Sequence, residues 1–364
     1  MQKSRRAMID SVNHLGWEIV TQLCARGVPP EGTCVSALSI AIAIVMLAGG
    51  AEGTPRRQLC AKLGFQSPDN ICTVLLRVLT ALKGSDAIQF RSANALFAQK
   101  DNIIYADYAH YLSRLDATID SDFPKLVDGL ERINEWVSRE TDGLIKDMLT
   151  RGALEGSQMV LINTLVFKAA WEGPFDPKNT VKDFPFHRAD RASKVDMMFH
   201  HGQHILVNQQ ADYTAVRLPY TCTPRSEWSF IAYLPHEDIS LNDIIPRLKS
   251  GVPMFSKIIV DTFGLPKFNL RTKDRIKDIL QNLGYPLSGN FSAMGTGRNI
   301  VDNVLHCVTI ILDEKGTEAA AATAIIMKRN RPRRIRSLIF DRPFVFSIVA
   351  EDLQMAVFTG VYSA

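Results

Sequence analysis

The short motifs of several large enzyme classes are missing from this 364-residue sequence. It contains no GxSxG nucleophile turn, no phosphate-binding glycine loop, no HExxH helix and no GxGxxG turn. These absences argue against hydrolase, nucleotide-binding, zinc-protease and dinucleotide-binding functions, and we expect a protein that is not an enzyme. The nearest approach to a metal site is HHGQH, in which His201 and His204 could share one face of a helix beside His200. Because this segment is polar and turn-like, we expect no metal there.

Long apolar runs and paired cysteines are also missing. The longest apolar run, residues 37–48, is too short to cross a bilayer and predicts a buried helix instead. The first residues include basic side chains but no apolar segment typical of a secretion signal. We therefore expect a cytoplasmic protein, or one exported without a visible signal, with extracellular action still open. None of the six cysteines forms a CxxC pair, which favours reduced thiols. They are Cys24, Cys34, Cys60, Cys72, Cys222 and Cys307.

Excess positive charge is confined to one segment. The composition, with 46% hydrophobic and 22% charged residues, is that of an ordinary globular protein. The net charge is +4, and residues 328–336 contain six basic side chains, so the rest of the chain is slightly acidic. A local basic patch attracts acidic partners or polyanions without making the whole protein a nucleic-acid binder.

Apolar residues at spacings of three and four predict an opening helix with one buried face. Those residues are Met8, Val12, Leu15, Ile19 and Leu23. Further helices are expected at about 36–48, 55–63, 69–83, 105–115, 127–149 and 273–283. Strands are expected at about 90–98, 159–169, 213–218, 229–234, 256–262, 304–312, 344–349 and 355–362. Helices first and mostly strands later, without βαβ alternation, predict the α+β class.

One of these strands contains a histidine. His306 alternates in step with Val304 and Val308, so its side chain belongs to the apolar face of the strand. A buried, hydrogen-bonded imidazole is a better interpretation than a catalytic one. Such a ring needs polar partners in the core.

Residues 313–336 join a small-residue segment to a run dense in arginine. From Thr317 to Met327 every second residue is small, uncharged or apolar, so this face could be buried as a strand without burying charge. A short helix is an equally good interpretation of the four consecutive alanines. Lys328 and Arg329 then offer cations for the acidic specificity pocket of a trypsin-like protease. Alternatively, the basic run is a solvated or polyanion-binding segment.

Eight segments in sequence order, spread over essentially the whole chain, resemble serpins, the serine protease inhibitors. They are VSALSIAIAIVMLAGGAEGT at 35–54, ANALFAQK at 93–100, INEWVSRETDGLIKDML at 133–149, INTLVFKAAWEGPF at 162–175, LPY at 218–220, LPKF at 265–268, DEKGTEAAAAT at 313–323 and DRPFVFSI at 341–348. The first departs from the family's Ser-Pro-x-Ser-Ile motif, because Ala37 replaces the proline.

The resemblance implies an overall architecture. We expect a single domain over residues 1–364 with three β-sheets, eight or nine helices and an exposed reactive-centre loop at about 314–338. The lack of a signal segment is similar to the intracellular, ovalbumin-like branch of the family. We expect a monomer that works without a cofactor and without a membrane.

The resemblance also implies roles for particular residues. The shutter, a polar cluster beneath the central sheet, would contain Ser36, Ser39, Asn163 and His306. Trp171 and Glu314 would lie at the breach, where loop insertion begins. The hinge that enters the sheet would contain Glu314, Gly316, Thr317, Glu318, Ala319, Ala320, Ala321 and Ala322.

The implied function is suicide inhibition of a trypsin-like serine protease. The protease acylates the loop, which then inserts as a new strand and carries the enzyme across the molecule. Counting from Gly316 in the most common loop register makes Asn330 the specificity residue, whereas a loop shorter by one residue makes it Arg329. We favour the bond between Arg329 and Asn330, because a trypsin-like pocket compensates the desolvation of a cation with its own carboxylate. Cleavage after Asn330 by an asparagine-specific protease stays open.

The alternative is a non-inhibitory serpin, or a polyanion-binding protein that acts through the basic loop. Non-inhibitory members tend to lose the alanine-rich hinge that this sequence has. The basic residues would contact an acidic exosite of the protease or heparin-like glycans, with a glycosaminoglycan as an optional cofactor. They are Lys328, Arg331, Arg333, Arg334 and Arg336. Lysine and arginine are sparse at 69–83, where heparin-activated relatives gather them, so that helix gives no support for a glycan site.

Overall fold

The structure is a computed structural model that describes residues 2–82, 88–188, 192–221, 227–250, 253–287, 290–296, 303–317 and 334–364. Residues 318–333, which form most of the expected reactive loop, lie outside the described ranges. So does Cys222, while the other five cysteines are buried free thiols.

The described ranges contain both helices and strands. The helices are α1 (Gln2–Ala25), α2 (Ala37–Gly50), α3 (Gly53–Lys62), α4 (Pro68–Leu82), α5 (Ala106–Ser113), α6 (Leu130–Glu140), α7 (Arg151–Leu154), α8 (Leu241–Ile244) and α9 (Lys277–Asn282). The strands are β1 (Gly32–Val35), β2 (Ile88–Gln99), β3 (Ala117–Phe123), β4 (Met159–Ala170), β5 (Thr180–His187), β6 (Ala192–Gln209), β7 (Tyr213–Pro219), β8 (Trp228–Pro235), β9 (Ser256–Pro266), β10 (Phe268–Arg275), β11 (Asn303–Asp313), β12 (Gly316–Thr317), β13 (Arg334–Ile339), β14 (Phe344–Ala350) and β15 (Met355–Tyr362).

The first two helices follow from the sequence pattern. The predicted face of α1 packs on the core through Met8, Val12, Leu15, Ile19 and the partly buried Leu23. Helix α2 is apolar all round and almost wholly buried. Its start is capped by Ser36, whose Oγ accepts a hydrogen bond from the Ser39 N–H at 3.2 Å. No helix in the described ranges is long and apolar enough to cross a membrane.

The strands form two hydrogen-bonded networks. One has the order β10-β11-β12-β4-β2-β3, and the other has the order β1-β15-β14-β8-β7-β6-β9-β13, with β5 paired to β6. Strand β6 is long because residues 197–207 pair with β9 whereas residues 206–209 pair with β7. The larger network therefore contains two of the three expected sheets, one around β5, β9 and β13 and one around β7, β8, β14 and β15.

The six-stranded sheet is buried on both faces around the first half of β11, whereas Gln89 and Arg91 of β2 are exposed. Along β11, Val308, Ile310 and Leu312 belong to the main core with α1, α2 and the larger sheet. Leu305 and Cys307 alternate with them and belong to a second apolar cluster, which includes residues of α6. A strand added next to β11 would therefore have to fit the packed main-core face along its whole length.

The predicted helix at 127–149 is too long. Helix α6 ends well before residue 149, at a turn begun by Thr141, whose Oγ1 donates to the Val137 carbonyl at 2.7 Å. Asp142 and Gly143 then have φ of 51° and 76°, and this left-handed conformation ends a right-handed helix.

The helix predicted near 273–283 starts too early, and the turn-like interpretation of HHGQH is wrong. Residues 273–275 end strand β10 instead of starting a helix, and α9 covers only Lys277–Asn282. The HHGQH segment belongs to strand β6, where neighbouring side chains point to opposite faces. A helical face shared by His201 and His204 is therefore ruled out.

Candidate functional site at the hinge and the central sheet

The six-stranded sheet is split where β4 and β11 part. These parallel strands pair directly from Val160 and Asn303 up to Leu165 and Val308. Beyond that point β12 lies between them, with Thr317 opposite both Leu312 of β11 and Ala169 of β4. Two residues of the predicted hinge are thus already strand residues of this sheet.

Gly316 is required at the start of this short strand. Its φ of 149° is rarely adopted by residues with a side chain, and an added Cβ would lie 2.2 Å from the Ala169 carbonyl oxygen. Thr317 follows it and is only 1% exposed. Backbone geometry and steric contact therefore both fix the point at which the loop enters the sheet.

The turn that leads into β12 is held from two sides. The Asp313 carboxylate accepts hydrogen bonds from the Lys315 N–H at 2.8 Å and the Gly316 N–H at 3.2 Å. Trp171 donates its indole Nε1–H to the Asp313 carbonyl and its backbone N–H to the Lys315 carbonyl, each at 2.9 Å. Trp171 therefore lies at the entry point, where the resemblance expects the breach.

Glu314 anchors the same turn to the larger sheet. Its Oε2 pairs with Lys267 Nζ at 3.0 Å, and its Oε1 accepts a hydrogen bond from Thr180 Oγ1 at 2.9 Å. Burial by itself raises the pKa of Glu314, but its own backbone N–H, Lys267 and Thr180 outweigh burial and hold the pKa below its usual value. The carboxylate is thus ionised at neutral pH and joins the hinge turn to Thr180 of β5 and to Lys267, which lies between β9 and β10.

Tyr220 closes the site from the larger sheet. Its ring stacks on Trp171 with centroids 4.6 Å apart and an interplanar angle of 6°. Its hydroxyl shares a hydrogen bond of 2.7 Å with Thr317 Oγ1. No motif in the sequence predicts a role for Tyr220, because only the fold brings residue 220 next to residue 317.

The predicted shutter residues lie together beneath the split. His306 and Asn163 are direct partners in the parallel pairing of β11 and β4. Ser39, from α2, bridges them, since its hydroxyl contacts Asn163 Oδ1 and lies 3.2 Å from His306 Nδ1. Ser36 supplies its backbone N–H to His306 Nε2 at 3.0 Å.

Asn94 extends this cluster and was not predicted. It is the register partner of Asn163 in the pairing of β2 and β4. The Asn163 amide nitrogen donates to Asn94 Oδ1, and Asn94 Nδ2 donates to the Leu115 carbonyl at 3.1 Å. The segment ANALF contains the only available signal, a polar residue within an otherwise apolar strand pattern.

The cluster forms one directed chain of hydrogen bonds. Because His306 Nε2 accepts the Ser36 N–H, Nδ1 must carry the proton of a neutral ring and donate to Ser39 Oγ. Ser39 then donates to Asn163, and Asn163 to Asn94. Burial lowers the pKa of His306 from 6.5 to about 3, so the ring stays neutral at physiological pH.

The remaining predicted site residues divide into two groups. Glu318, Ala319–Ala322, Lys328–Arg331 and Arg333 lie outside the described residues. Arg334 and Arg336 are exposed on β13, where Arg334 Nε pairs with Asp261 Oδ1 at 2.6 Å. Among the residues that the structure describes, no three His, Cys, Asp or Glu side chains are grouped to hold a metal ion.

Comparison with known proteins decides the family. The family model described as Serpin (serine protease inhibitor) matches residues 10–364. The chain belongs to the serpin family. A serine protease inhibitor of Cyanea capillata is similar to this serpin at 28% identity, with 96% of each chain covered.

Solved structures agree with the serpin fold. Arabidopsis AtSerpin1 in its native stressed conformation matches with a TM-score of 0.86 at 22% identity, with 98% of each chain covered. Human thyroxine-binding globulin in complex with thyroxine matches with a TM-score of 0.83 at the same identity, again over 98% of each chain. The predicted α+β serpin fold is confirmed, and because a thyroxine-binding protein shares this fold, the fold alone does not determine the function.

Proposed function

We propose that this serpin is a suicide-type inhibitor of trypsin-like serine proteases, which traps the acyl-enzyme by inserting its cleaved loop between β4 and β11. The observation that carries the proposal is the seating of Gly316 and Thr317 in that split. Insertion would continue a strand that has already begun.

The register of β12 predicts the partners of the inserted residues. Continued antiparallel pairing would bring Ala319 opposite Ile310 and Phe167, and Ala321 opposite Val308 and Leu165. Those four partners are buried in the main core. Alanine fits such a face without overpacking it, which supports insertion over the alternative of a surface helix.

Thr323 would reach the shutter in the same register. Its expected partners are His306 and Asn163, the two residues that now pair with each other. A hydroxyl at this position would offer a hydrogen bond to polar groups that insertion separates. The loop sequence thus matches the chemistry of the sheet, with alanine opposite apolar residues and threonine opposite the polar cluster.

Insertion would also add strand pairing where, within the described residues, β4 and β11 are not paired with each other. Direct pairing of β4 and β11 stops at Leu165 and Val308, and β12 is paired only from Ala169 and Leu312 onward. The residues between have strand neighbours on their outer sides, in β2 and β10. New ladder bonds there would supply free energy for moving the attached protease.

The specificity residue we propose is Arg329. It precedes strand β13, which carries exposed basic residues. A protease with an acidic specificity pocket for Arg329 and an acidic rim around that pocket for the basic residues would match this arrangement. Lys328, Arg331, Arg333, Arg334 and Arg336 would contact that rim. Heparin-like glycans are a second candidate for the same basic run, whereas α4 has a single basic residue, Arg77, and offers little to a polyanion.

This proposal is tested by incubating the serpin with trypsin at equal molarity. Denaturing electrophoresis then shows any complex, and terminal sequencing identifies the released fragment. We expect a covalent complex larger than the serpin and a fragment that begins at Asn330. A fragment beginning at Arg331 would move the specificity to Asn330, and cleavage without a complex would reject the inhibitor assignment.

Thr317→Arg and Thr317→Ser form the matched pair for this experiment. The arginine would have to leave water at a position that is 1% exposed, so we expect cleavage without a stable complex. The serine keeps the hydroxyl and the small volume, and we expect it to inhibit. Equal complex formation by both variants would contradict the insertion mechanism.

A further inference from the structure

Tyr220 joins the larger sheet to the hinge through a single side chain. It lies just after β7, is 2% exposed, and its backbone N–H is bound to the Trp228 carbonyl at 3.0 Å. Its ring is fixed between Trp171, on which it stacks, and Phe167, which it meets edge-on at 5.3 Å. The hydroxyl is therefore held in place before it meets the loop.

We infer that Tyr220 is a positioning residue that keeps Thr317 seated in the sheet, so that insertion starts in a fixed register. This inference rests on the proposed inhibitory function. The contact is 2.7 Å between Tyr220 OH and Thr317 Oγ1, and both side chains are buried. Ring packing fixes one partner while the other belongs to the segment that moves.

The hydroxyl contact matters because it acts on the residue from which the loop leaves the sheet. This strand has only two residues, and Thr317 is the last described residue before the loop. A buried hydrogen bond of this kind contributes about 0.5–1.5 kcal/mol, which corresponds to a two- to twelvefold change in the fraction of unseated hinge. Without the bond, insertion must first return Thr317 to its register, and more acyl-enzyme is hydrolysed before it is trapped.

The rate of cleavage after Glu318 by a glutamate-specific protease measures how often Thr317 leaves its place between β4 and β11. The protease needs an extended segment on both sides of the bond, so Lys315, Gly316 and Thr317 must first leave the sheet. The rate of this cleavage follows the population of the open form when opening is fast. Terminal sequencing that yields Ala319 identifies the cut.

A double-mutant cycle with Tyr220→Phe and Thr317→Val separates the contact from general damage to the fold. Each substitution removes one hydroxyl and leaves the other without its partner, so we expect each to raise the cleavage rate about two- to twelvefold. The double variant leaves no unpaired hydroxyl. We therefore expect its cleavage rate to increase by much less than the product of the two single-variant increases. Thr317→Ser should cleave at nearly the wild-type rate.

Tyr108→Phe is the matched control, because it removes a buried hydroxyl bound to the Met46 carbonyl at 3.1 Å, away from the hinge. We expect it to leave hinge cleavage unchanged. Unchanged rates in both single variants, or a double variant equal to their product, would overturn the role of Tyr220. Coupling without any trypsin complex would reject only the inhibitory function, whereas a trypsin complex without coupling would reject only this inference.

Discussion

His306 is the residue on which the central cluster depends. It accepts the Ser36 N–H on one nitrogen and donates to Ser39 with the other, so only the neutral ring fits. A protonated ring would direct an N–H at another N–H. The chain from His306 to Asn94 therefore sets both the charge and the tautomer of the imidazole.

A pH dependence of stability follows from this. Because the folded pKa lies near 3 and the unfolded value near 6.5, the unfolded state binds more protons between these pH values. The free energy of unfolding should thus fall as the pH falls through this window, by about 2 kcal/mol from this residue between pH 6.5 and pH 5. His306→Gln, which does not titrate, should lose that part of the slope when urea unfolding is followed at both pH values. An identical slope in both proteins would contradict the assignment.

The sequence predicted residues that have a motif and missed those that depend on register. Ser36, Ser39, Asn163 and His306 were assigned together from segments that resemble the family. Asn94 and Tyr220 were not, because no role was attached to them in the segments ANALFAQK and LPY, and their partners lie 69 and 97 residues away in the chain. Only strand pairing brings such residues together, and spacing along the chain does not encode it.

At the scale of elements, the gap between β4 and β11 is the feature that the loop must fill. In its upper part Thr317 of β12 lies between Ala169 and Leu312, while its lower part is closed by direct pairing of β4 and β11. The side chains that line the main-core face of the gap are apolar down to Val308. The requirement for small loop residues is therefore strictest on that face.

Ala321→Glu tests this requirement against Ala321→Ser. In the inserted register residue 321 would lie between Val308 and Leu165, which are 0% and 1% exposed. A carboxylate there costs several kcal/mol, so we expect the number of serpin molecules consumed per trapped protease to rise more than tenfold. The serine variant should change this number little, as measured by titration of residual trypsin activity. Comparable values for both variants would argue against burial of this residue.

Element types were predictable where burial follows a clear period. Helix α2 and strands β4, β14 and β15 are apolar and were expected near their observed positions. Strands β3 and β13 were not expected, because ATIDSDF and RIRSLI carry many exposed polar side chains at the ends of their sheets. An edge strand forms because its backbone pairs with the adjacent strand, and its sequence need not show the alternation of apolar and polar residues.

At the scale of the whole molecule, the proposal requires that the native fold is not the most stable one. Cleavage within residues 328–331 would free the loop to add a central strand to the six-stranded sheet. About ten newly paired residues at about 1 kcal/mol each would raise the melting temperature by roughly 13 °C. Calorimetry before and after cleavage measures this change. An unchanged melting temperature would reject loop insertion.

The closed lower part of the gap between β4 and β11 divides the proposed insertion into two stages. Residues 318–320 would lie where β4 and β11 have no direct pairing with each other in the described residues, but from Ala321 onward each step would have to displace an existing pair, beginning at Leu165 and Val308. The rate of the second stage would therefore compete with the rate at which water hydrolyses the acyl bond. A protease that deacylates faster than the loop inserts would be released and leave a cleaved, inactive serpin. A protease that deacylates more slowly would be trapped as the acyl-enzyme. Target selection would then depend on the kinetics of the enzyme as well as on the bond it cuts.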